Sequence, residues 1–85
     1  MSQPLVAKLH HLDVHGLPHY LVYAGEQVVG SIRDHIPKTF APPGGTWFWG
    51  ISHPHDLGRP RPCNGHAPTR EAALAAFRKC WDAGA

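Results

Sequence analysis

A chain of 85 residues is one domain at the small end of the usual range, so its core must be compact. With 42% hydrophobic residues, three Trp, three Phe, two Tyr and only 16% charged residues, it is not a charge-rich disordered chain. The formal net charge of +2 is low for a nucleic-acid module, and no apolar run approaches the ~18 residues of a membrane span.

Residues 5–14 alternate apolar and polar side chains and predict a strand. Val6, Lys8, His10, Leu12 and Val14 would share one face, with Leu5, Ala7, Leu9 and His11 on the other. Gly16-Leu17-Pro18 supplies a turn. Residues 19–24, His-Tyr-Leu-Val-Tyr-Ala, are rich in aromatic and β-branched types and predict a second strand. Gly25-Glu26 is a two-residue hairpin turn, because Gly accepts positive φ. Residues 27–33 predict a third strand, with Val28, Gly30 and Ile32 on one face and Val29, Ser31 and Arg33 on the other.

Residues 34–45 carry Pro37, Pro42, Pro43, Gly44 and Gly45 and read as a long loop. Residues 46–52 form the strongest strand, with Trp47, Trp49 and Ile51 pointing one way and Phe48, Gly50 and Ser52 the other. Residues 53–68 are again rich in Pro and Gly and predict a loop. From Thr69 onward the pattern is helical. Thr69 is placed to cap the first turn, Glu71 sits near the positive end of the dipole, and Ala73, Leu74, Ala76, Phe77, Cys80 and Trp81 form one stripe. Gly84 suits a helix stop. The expected fold is α+β: a small antiparallel three- to four-stranded meander with one C-terminal helix packed on one face, residues 1–85 forming a single domain.

The strings Trp47-x-Trp49, then Gly65-His66-Ala67-Pro68-Thr69-Arg70-Glu71-Ala72, then Phe77 and Trp81, resemble small uncharacterised bacterial proteins of strand-strand-helix layout. The resemblance covers roughly the C-terminal half. It implies the fold and carries no activity.

Eight His are unusual at this length; protonating them near pH ~6.5 would make the chain strongly cationic. His53, His55, Cys63 and His66 offer four donors around one Pro-rich loop, the number and types that a structural zinc uses, although the spacing fits no zinc-finger pattern closely. His10, His11, His15 and His19 form a second group in which His10 or His11 would approach His19 across a hairpin. They read first as polar sheet-surface residues and otherwise as part of a contact surface. Cys80 falls on the apolar helix stripe and reads as a small buried residue. The N-terminus has no signal-peptide pattern, and the expected compartment is cytoplasmic with reduced thiols.

No catalytic arrangement stands out. Cys63 with His66 or His55 lacks any sign of an oxyanion hole, the acidic residues form no evident acid–base pair, and no phosphate-binding loop is present. An enzyme is not expected. The leading expectation is a non-enzymatic protein-interaction module, a regulator or inhibitor of the kind carried by phages and mobile elements. A protein partner ranks first and a homodimer is an option. A nucleic-acid-binding domain ranks second, using an open sheet face and the cationic Arg59-Pro60-Arg61-Pro62 segment. A small zinc-stabilised domain ranks third. The expected binding residues are Arg33, Phe48, Arg59 and Arg61.

Overall fold

A computed structural model describes residues 4–12, 16–34, 44–59 and 61–83. Among these described residues, five strands form one antiparallel sheet whose spatial order is its chain order. They are β1 (Leu5–Leu12), β2 (Pro18–Ala24), β3 (Gln27–Asp34), β4 (Trp47–Ile51) and β5 (Asn64–Ala67), followed by α1 (Arg70–Ala83). The α+β meander with its C-terminal helix is as expected, with one strand more. The added strand, β5, falls inside the segment expected to be a loop. Its residues Asn64, Gly65 and His66 have weak strand propensity, so pairing with β4 over Trp47↔Ala67, Phe48↔His66, Trp49↔Gly65 and Gly50↔Asn64 makes it a strand.

The β2–β3 turn is Gly25-Glu26, and Gly25 has φ 65°, a value a side chain would resist. Two irregularities interrupt the ladder. Between β1 and β2 the register slips between Leu9 and His11, leaving His10 as an extra residue. Between β2 and β3 it slips between Val22 and Tyr23, leaving Val29 extra. Val29 is consequently buried, whereas simple alternation put it on the open face with Ser31 and Arg33.

α1 lies across β3, β4 and β5. Its buried stripe is Ala73, Phe77 and Cys80, with Ala72, Leu74, Ala76 and Trp81 packed at its margins. Facing it are Ile32, Trp49, Ile51 and Ala67, and Trp49 meets Phe77 edge-on at 6.3 Å between ring centres. Phe77 approaches the sheet closely because Gly30 has no side chain. A Cβ there would strike the Gly50 carbonyl and the Phe77 ring. The helix begins as the sequence predicts: Ala72 N–H donates to Thr69 Oγ1 at 3.0 Å. Arg70 then reaches back to β2, donating to the Tyr20 hydroxyl at 2.8 Å. Most of the long loop expected over 34–45 lies outside the described residues, as do His15, Pro60 and the Gly84 helix stop. No helix among the described residues is long and apolar enough to cross a membrane.

Candidate binding face

Side chains alternate across a pleated strand, so the sheet has a second face opposite the one that α1 covers. Cross-strand register defines what stands on it. One row takes a residue from every strand: His11, His19, Arg33, Phe48 and His66 are successive Cα partners from β1 to β5. The next row on the same face is Lys8, Leu21, Ser31, Gly50 and Asn64. Beyond it, Val6, Tyr23 and Val28 make a shorter third row.

Cations and rings are interleaved on this surface. The Arg33 guanidinium lies 5.5 Å from the centre of the Phe48 ring, and the Lys8 ammonium 5.0 Å from that of Tyr23. Both are within cation–π range. Phe48 meets His66 edge-on at 5.5 Å. At the other end of the row, the imidazoles of His10, His11 and His19 crowd together. Among the described residues no carboxylate stands on this face. Glu26 is in a turn, Asp34 pairs with Trp47 on the helix side, Asp56 is in the β4–β5 loop, and Glu71 and Asp82 are on α1. Burial holds the His19 pKa below its ordinary value, with the nearby His11, Arg33 and His10 charges adding to the effect.

Arg33 and Phe48 therefore stand side by side on the open face, where alternation placed them. Arg59 and Arg61 do not join them. Arg59 turns into the helix end: its Nε donates to the Trp81 carbonyl at 3.2 Å, Nη1 donates to the His55 carbonyl, and the guanidinium lies 3.7 Å from the Trp81 ring centre. It ties the loop to α1 and is partly buried there. Arg61 is exposed but donates to Asp56 Oδ2 at 2.8 Å. That hydrogen bond is the main reason the Asp56 carboxyl is held below the usual carboxylate range.

The four donors of the loop are spread out. His53 Nδ1 sits 3.3 Å from Asp56 Oδ1, and the His55 ring tilts toward Trp81 at 6.5 Å. Cys63 is buried and its thiol donates to the Asp56 carbonyl at 3.8 Å, while His66 stands on the open face beside Phe48. Cys80 is buried on the helix stripe, as expected. Burial pushes its thiol pKa up, with a hydrogen bond to Cys63 next in effect.

Sequence reasoning missed the place of His66 in the row, because that depends on β5 existing. It also missed the seating of Arg59, whose partner Trp81 is 22 residues away. No family model, curated protein or solved structure matches this chain.

Proposed function

We propose that this is a non-enzymatic binding protein whose open sheet face receives a flexible polyanion, single-stranded nucleic acid. Support comes from the carboxylate-free row His11–His19–Arg33–Phe48–His66, which spans all five strands. Rings interleaved with cations on a sheet suit bases that stack and phosphates that need counter-charge. Phe48 and Tyr23 would serve as stacking platforms. Arg33, Lys8 and the imidazoles would meet the backbone. The low net charge of +2 fits modest, salt-sensitive affinity. Fluorescence anisotropy with labelled oligo-dT and oligo-rU at low salt is the test. Binding should weaken steeply as salt rises, and Phe48→Ala should weaken it about tenfold or more, given ~1–3 kcal/mol per stacked base. No binding to either oligomer at low salt would end the proposal.

A second reading, a protein partner or second copy adding a strand to the sheet, is favoured by one observation. β1 is an eight-residue edge strand whose Val6, Leu9 and Leu12 are 47%, 57% and 58% exposed. An unpaired apolar edge is a template for strand addition. Concentration-dependent association that survives moderate salt and is lost in Leu9→Lys would select it.

A further inference from the structure

We propose that His10, His11 and His19 bind one divalent transition-metal ion of the zinc type.

Consecutive residues of a regular strand point to opposite faces, so His10 and His11 would ordinarily stand apart. The slip between Leu9↔Tyr20 and His11↔His19 makes His10 the extra residue of a bulge. Bulges re-aim side chains. Here the His10 and His11 ring centres come within 4.9 Å, and His19 on β2 lies 4.7 Å from His11 and 6.2 Å from His10. Two imidazoles on one zinc, at Zn–N of about 2.0–2.1 Å and a tetrahedral angle, have ring centres about 5 Å apart. Two of the three separations already match, and the third closes by roughly 1 Å.

Donor chemistry agrees. His19 Nε2 is a buried ring nitrogen that has no hydrogen-bond partner among the described residues. Leaving it so is costly, and a metal bond would satisfy it. Among the described residues no three donors yet surround one point. His10 and His11 are exposed on the edge strand and free to turn their rings inward. Three imidazoles without oxygen donors select zinc, nickel or copper over magnesium or calcium. The fourth position would be left to water. The Arg33 guanidinium beside His19 opposes the added charge, but it is drawn toward Phe48 on the β4 side. The set is separate from His53, His55, Cys63 and His66.

The test is calorimetric titration of the untagged chain with zinc chloride, and with magnesium chloride as control, at pH 7.5. The expected result is one zinc per chain and no magnesium binding. Affinity should fall at least tenfold in His11→Gln and in His19→Gln, and stay unchanged in His53→Gln and Cys63→Ser. Should His19→Gln melt early, the double variant His10→Gln/His11→Gln on the exposed edge gives the same readout. Zinc should also shift the ring nitrogen resonances of these three histidines. Absence of zinc binding, unchanged affinity in the His11 and double variants, or loss only in the His53 or Cys63 variants would overturn the assignment.

Discussion

The two faces of one sheet are built from the same alternation and put to opposite uses. On the helix side, Val22, Ile32, Trp49 and Ile51 close over Phe77, and even the backbone makes room for it at Gly30. On the open side the same strands contribute His19, Leu21, Arg33 and Phe48. Stability is concentrated on one face. Substitutions there should be felt in melting and those opposite should be felt in binding.

The largest way to break the contrast is Phe77→Ala. Emptying a fully buried aromatic site should cost about 3–5 kcal/mol, read by denaturant unfolding. Phe48→Ala, on the same sheet but the opposite face, should cost far less. Comparable losses would mean that the open face is also core. Arg33→Ala comes next: it should weaken oligonucleotide binding several-fold and lower the salt slope by about one, with melting nearly unchanged. Arg59→Ala should do the reverse. It removes the donor to the Trp81 carbonyl and the guanidinium over its ring, costing about 1–2 kcal/mol of stability while leaving nucleic-acid affinity intact. A loss of affinity in Arg59→Ala at unchanged stability would return this arginine to the binding surface.

The smallest effect is with pH. His19 has a lowered pKa in the folded chain, so the unfolded chain binds its proton more readily. The associated stability is present above the ordinary value near ~6.5 and is lost as pH falls through the lower folded value. Melting should therefore drop slightly between neutral and mildly acidic pH, and His19→Gln should flatten that slope. Polyanion binding should move oppositely, strengthening as His19 gains charge. Parallel trends in the two measurements would separate the histidines from the binding face.

Sequence alone gave β4 and α1 with nearly their final faces, because Trp47-x-Trp49-x-Ile51 and the Thr69-capped stripe each carry their own period. Arg33 and Phe48 were legible for the same reason. β5 was not, since Asn64-Gly65-His66 becomes a strand only through β4. The crowding of His10 onto His11 was hidden too, because a bulge is a property of two strands in register and leaves no trace in either alone. The seating of Arg59 was hidden for a third reason: its partner, the Trp81 carbonyl, is 22 residues away.

Sheet order that equals chain order also has a temporal meaning. As the polypeptide emerges from the ribosome, each strand finds its neighbour already made or made next, so pairing proceeds by local steps and avoids slow long-range searches. Yet the helix that covers Ile32 and Trp49 follows all five strands. Until it is synthesised, the nascent sheet holds an uncovered apolar face, the interval in which such a chain is most exposed to aggregation and to chaperones.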